Sequence, residues 1–86
     1  MTEQDLIDLG FTKTMVTHEE SNNGYDYYYY SLDLMEGLHL DSNDNDQITA
    51  NGWEVHNYDW PTTKNISKES IILLIQMAQD LQDLNP

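Results

Sequence analysis

The stretch YDYYYYSLDL, residues 25–34, constrains the fold more than any other part of the chain. Aromatic side chains suit a pleated, half-buried strand. The strand period of two puts Tyr28, Tyr30, Leu32 and Leu34 on one face and Tyr27, Tyr29, Ser31 and Asp33 on the other. Such a strand needs antiparallel partners and a cover for its apolar face.

Partners lie on both sides of it. FTKTMVTHE, from Phe11, is rich in β-branched residues and ends at the turn cluster ESNNG. Downstream, MEG (35–37) turns into LHL, with Leu38 and Leu40 inward and His39 outward. DSNDND (41–46) interrupts, and GWEVHNY (52–58) resumes as the last strand with Trp53 and Val55 inward. DWPTTKN (59–65) reads as a loop, since Pro61 ends any ladder it enters.

Helical signals bracket the strands. Thr2 is placed to cap a short helix with Asp5 as its capping-box partner, and Gly10 fits the left-handed position after the last turn, with Phe11 folding back on it. From Ser67, a plausible N-cap, to about Leu84 the period is helical, with Ile71, Leu74, Ile75, Ala78 and Leu81 on one face. Ile72, Leu73 and Met77 widen that stripe, so burial over more than half the circumference is expected. The predicted fold class is α+β: one antiparallel meander of three to four strands, with a short N-terminal and a long C-terminal helix on one face. Eighty-six residues make a single domain, 1–86.

Charge narrows the function. Sixteen acids face three lysines and no arginine, a balance of −13. Between Met15 and Thr63 there are ten acids and no Lys or Arg. Such a surface repels phosphate and anionic lipid and attracts basic proteins. Direct nucleic-acid binding and membrane binding are the least expected classes. No cysteine is present, so disulfides, thiolate zinc sites and cysteine nucleophiles are excluded. A chain without such staples points to the cytoplasm. MTEQDLIDLG lacks the basic-then-apolar pattern of a signal peptide, and the longest apolar run, IILLI at 71–75, is far too short to cross a bilayer.

Chemistry finds little footing. DSNDNDQI resembles the opening of a calcium loop, with Asp41, Asn43, Asn45 and Ile48 at positions one, three, five and eight. Position six is Asp46 rather than glycine and position twelve is Gly52 rather than glutamate, so the EF-hand reading fails. No metal site is expected, although a calcium-responsive module using Asp41, Asp44 and Asp46 is kept as an alternative. His18, His39 and His56 fall on three different predicted strands without ligand spacing. No glycine-rich phosphate loop or nucleophile motif occurs, and a carboxylate pair such as Asp33 and Glu54 is expected by chance among sixteen acids. The chain is read as a non-enzyme without cofactors.

Helices on one face leave the other open. That face would carry Tyr27, Tyr29, His39, Glu54, His56 and Tyr58, tyrosines interleaved with acids. Tyrosine is enriched at protein-binding hot spots and orders cheaply. The candidate partner-binding residues are Glu19, Glu20, Asp26, Tyr27, Tyr29 and Asp33, then Asp41, Asp44, Asp46, Glu54, Tyr58 and Asp59.

The runs DLIDLGF, YYYYSLDL, LHLDSNDND and GWEVHNYDW, followed by a leucine-rich helix, resemble a type of small acidic protein encoded by bacteriophages and prophages. No functional residues carry over from that type. The resemblance implies a phage accessory protein in a bacterial cytoplasm. In size and charge alone the chain is also similar to anti-restriction and anti-CRISPR inhibitors, many of which occupy the basic nucleic-acid channel of a host nuclease. The expectation is therefore a protein-binding protein whose partner is a basic surface on a host nuclease or other nucleic-acid-binding protein. A small phage assembly protein that oligomerises through its tyrosine face is a further alternative; the chain itself would be a monomer or homodimer.

Overall fold

In a computed structural model that describes residues 1–22, 24–48, 50, 52–58 and 65–83, the elements follow the predicted order. They are α1 (Glu3–Asp8), β1 (Thr12–Val16), α2 (His18–Ser21), β2 (Tyr27–Met35), β3 (Leu38–Ser42), a 3-10 turn (Asn45–Gln47), β4 (Val55–Asn57) and α3 (Lys68–Asp83). The four strands form one antiparallel meander in the order β1-β2-β3-β4. The fold is α+β, as the sequence indicates.

Local chemistry fixes the first helix. The Thr2 hydroxyl accepts from the Asp5 amide at 3.1 Å, and the Asp5 carboxylate accepts from the Thr2 amide at 3.0 Å, which completes a capping box. At the other end Gly10 takes φ +97°. The Gly10 and Phe11 amides donate back to the carbonyls of Ile7 and Leu6 at 3.1 and 3.0 Å, a Schellman closure. Phe11 and Leu6 then join the same core.

That core lies on one face of the sheet. Leu6, Phe11, Tyr30, Leu40, Trp53, Val55 and Ile71 form its buried centre, with Tyr28, Leu32 and Leu34 packed against it. Trp53 meets Tyr30 edge-on, their ring centroids 5.4 Å apart. The Tyr30 hydroxyl donates to Glu3 at 2.5 Å, which satisfies the one polar atom of a buried ring. Both α1 and α3 contribute to this face, and the opposite face carries neither.

Three expectations are corrected. His18 is not on a strand: the Thr17 hydroxyl accepts from the Glu20 amide at 3.3 Å and caps the four-residue α2, which starts at His18. The last strand covers only Val55–Asn57 rather than residues 52–58. Trp53 instead pairs with Met1, its amide donating to the Met1 carbonyl at 2.8 Å and its carbonyl accepting from the Met1 nitrogen at 3.2 Å. Gly52, at φ +78°, permits that approach, because an added Cβ would lie 2.6 Å from the Met1 carbonyl oxygen.

The long helix is also less buried than expected. The Ser70 amide donates to Ser67 Oγ at 3.2 Å, so Ser67 is the cap. Ile71 and Ala78 are buried, but Ile72, Leu73, Met77 and Leu81 are exposed, Leu73 at 64%. The core face is shared with α1 and Trp53, so α3 settles on the sheet along a single stripe.

The two sheet edges differ. The outer side of β4 is met by residues 65 and 66: the Val55 amide donates to Asn65 Oδ1 at 2.9 Å and the Ile66 amide to the Val55 carbonyl at 2.7 Å. β1 is paired on one side only among the described residues. No helix among them is long and apolar enough to cross a membrane. The loop expected over residues 59–65 lies, apart from Asn65, outside the described residues.

Candidate protein-binding face

The register sets the composition of the helix-free face. Thr12 opposes Ser31, Ser31 opposes Asp41, and Asp41 opposes His56, giving one row across all four strands. The next row toward the β2–β3 turn contains Asp33 opposite His39, with the Tyr58 amide donating to the His39 carbonyl at 2.8 Å. The row on the other side begins with Thr14 opposite Tyr29. Tyr27 follows, opposite Val16, and its ring centroid lies 6.4 Å from that of Tyr25. Strand alternation fixes the facing of each residue, because Tyr28, Tyr30 and Leu40 are committed to the core.

His39 is the centre of the strongest polar cluster on this face. Its Nδ1 contacts Asp33 Oδ1, and its Nε2 lies 2.9 Å from Asp41 Oδ1. Carboxylates accept only, so a ring bonded to one through each nitrogen needs a proton on both. The Asp33 hydrogen bond is the main reason the His39 pKa is raised above its ordinary value, with partial burial opposing it. Asp41 is also pushed upward, because burial outweighs the favourable nearby imidazole. The Tyr58 ring meets His39 edge-on with centroids 6.1 Å apart, and Tyr58 is 77% exposed.

A second acidic group surrounds the other end of β2. Asp26 accepts from the His18 amide at 2.6 Å and lies 2.9 Å from His18 Nδ1. The His18 contacts hold its pKa below the usual carboxylate range. Glu19 and Glu20 project from α2 beside it, and Glu20 accepts from the Thr17 hydroxyl at 3.0 Å. The 3-10 turn brings Asp44 and Asp46 toward this same end. Tyr25 is hydrogen-bonded to Asp46, which raises the pKa of its hydroxyl. Asp44 is pushed upward by burial and then by Asp46.

The 41–46 loop is tied to the sheet by its asparagines. Asn45 Oδ1 accepts from the Tyr28 amide at 2.8 Å, and Asn43 Oδ1 accepts from the Glu54 amide at 3.2 Å. Two of the oxygens that a calcium loop would offer are therefore engaged with backbone donors. Among the described residues, no group of three or more His, Cys, Asp or Glu is arranged to hold a metal ion.

The candidate residues thus divide. Asp33, Asp41 and Tyr58 gather around His39, while Tyr27 lies near the acids of α2 and the 3-10 turn. Tyr29 lies between the groups. Glu54 sits beside Asn43, bonded through its backbone, and Asp59 lies outside the described residues. The sequence placed His39 outward but missed its bridging role. The turn alone would not have shown it: a two-residue turn over 36–37 sets Leu34 across from His39. Only the register shift between Asp33 and Met35 brings Asp33 opposite His39, with Asp41 two residues on, on the same face.

No family model matches the chain, and no curated protein or solved structure matches it.

Proposed function

We propose that the protein is a non-enzymatic binding protein that engages a basic protein surface through the helix-free face of its sheet. The carrying observation is the composition of that face: Asp33, Asp41 and Glu54 interleaved with Tyr27, Tyr29 and Tyr58, and no lysine among the described residues. Lys13 falls on the other face, its ammonium 4.0 Å from the Tyr28 ring centroid. Lys68 is paired with Asp5 at 3.0 Å.

Exposed tyrosines give area that orders cheaply, and the acids select cationic partners and speed encounter. The resemblance to phage-encoded proteins favours a partner in the bacterial cytoplasm. A surface shaped to hold nucleic acid carries the required Lys and Arg, so the partner class is a host nuclease or other nucleic-acid-binding protein, and the mode is electrostatic mimicry. Association must then weaken as salt shortens the Debye length, which is about 8 Å at physiological ionic strength.

The test is capture from a bacterial lysate on immobilised wild type and on a face variant carrying Asp33→Asn and Tyr58→Ala. The expected result is a nucleic-acid-binding protein held by wild type at low salt, released at moderate salt, and not held by the variant. Equal retention on the variant, or retention indifferent to salt, refutes the reading.

A further inference from the structure

A face selected for acidity carries, at its centre, a cation of its own. His39 bridges Asp33 of β2 and Asp41 of its own strand β3, one carboxylate on each ring nitrogen. From the β4 side it is met by the Tyr58 ring, while His56 stands opposite Asp41. With both nitrogens acting as donors, the ring is an imidazolium that offsets part of the charge of two acids. Those same acids, on the proposed binding face, are the groups a basic partner would seek.

We propose that His39 is a proton gate on this face: its protonated ring occupies Asp33 and Asp41, and a basic partner binds them by expelling the proton. The gate rests on the binding reading given above. The linkage has a definite sign. A partner cation beside Asp33 and Asp41 competes with the imidazolium, so it favours the neutral ring. By reciprocity, loss of the proton favours the partner. Binding to the basic surface therefore strengthens as pH rises through the His39 titration and levels off above it. Because Asp33 holds the ring above its ordinary value, the transition lies above the free-imidazole pKa of about 6.5. One proton released per binding event raises affinity by up to about tenfold for each pH unit below the midpoint.

This gate is distinct from general screening. Salt weakens every charge contact on the face, whereas the proton acts through one side chain and leaves the remaining acids charged. The His39 contribution is isolated by substitution rather than by pH alone.

The experiment uses the full chain and a nona-arginine peptide as probe. NMR first follows the His39 ring through a pH titration in wild type and in Asp33→Asn. Calorimetry then measures peptide binding across pH 6 to 8 in buffers of different ionisation enthalpy, for wild type, Asp33→Asn and His39→Gln. The gate requires a wild-type His39 midpoint above about 6.5 that falls in Asp33→Asn. It also requires proton release on binding that is lost in His39→Gln, and that variant should bind at pH 6 nearly as tightly as wild type does at pH 8. A wild-type midpoint at or below the ordinary value, or the same proton release in His39→Gln as in wild type, overturns the gate while leaving the binding reading intact. Failure of the peptide to bind at any pH in this range overturns both.

Discussion

Replacing Gly52 with alanine isolates the contact that ties the start of the chain to the sheet. Two costs are expected. A Cβ at φ +78° is in the left-handed region, which costs a non-glycine residue about 1–2 kcal/mol. That Cβ would also lie 2.6 Å from the Met1 carbonyl oxygen, a backbone atom that cannot rotate away. Met1 must retreat, and with it go both hydrogen bonds to Trp53, at 2.8 and 3.2 Å. At about 0.5–1.5 kcal/mol each, they bring the total to about 2–5 kcal/mol. Gly10→Ala supplies the control, because Gly10 is also left-handed, at φ +97°, but nothing lies within 4 Å of its added Cβ. It should cost only the conformational part, about 1–2 kcal/mol. Urea unfolding followed by circular dichroism measures both variants, and an unchanged m-value makes the midpoints comparable. In a domain of this size, each kcal/mol lowers Tm by about 4–8 °C. Equal destabilisation by the two substitutions would refute the role given to the Met1–Trp53 pairing.

Two further predictions concern pH. Burial, and then the hydrogen bond to Glu3, push the Tyr30 hydroxyl from 10.0 to about 12, so the folded chain favours the protonated ring. Its contribution is complete below about pH 10 and is lost as pH rises toward 12, and thermal melts of wild type and Tyr30→Phe should converge across that range. At neutral pH, Tyr30→Phe should cost about 1.5–3 kcal/mol, the range for hydrogen bonds to charged groups. Asp5 has the opposite sign: the Thr2 amide and then Lys68 hold its carboxyl down to about 2. Asp5→Asn should therefore lower Tm at pH 7, with the difference from wild type shrinking as pH falls from about 4 to about 2. A constant difference across that range would refute the assigned cause.

What the sequence revealed divides along the range of the interactions. The capping box at Thr2, the turn after α1 and the facing of Tyr28, Tyr30, Leu38 and Leu40 depend on residues a few places apart, and all were legible. The exposure of Leu73 and Met77 was not, because it depends on how much of the sheet face α1 and Trp53 already occupy. Nor was the shortness of β4, which follows from Met1 pairing with Trp53 across a separation of 52 residues. The aspartate-asparagine loop was misleading in its composition alone: its asparagines serve the Tyr28 and Glu54 amides. His39 lies between these cases. Its partners are close in sequence, but Asp33 meets it only through the one-residue register shift between Asp33 and Met35, which the turn length does not reveal.

The unequal edges of the sheet bear on how this protein behaves in solution. β4 is shielded by residues of its own chain, whereas among the described residues no strand pairs with the outer side of β1, which presents Thr12–Val16 with Lys13 as its one charge. An open strand edge is a template for pairing with another molecule. What keeps copies apart is long-range repulsion between chains of charge −13 at neutral pH, with a single ammonium guarding the edge itself. Colloidal stability is thus carried by the titration of the acids rather than by the architecture. Near the isoelectric point of about 4.1 the repulsion disappears while the edge remains. Mild acid is therefore the condition under which this chain should aggregate, through β1, while still folded.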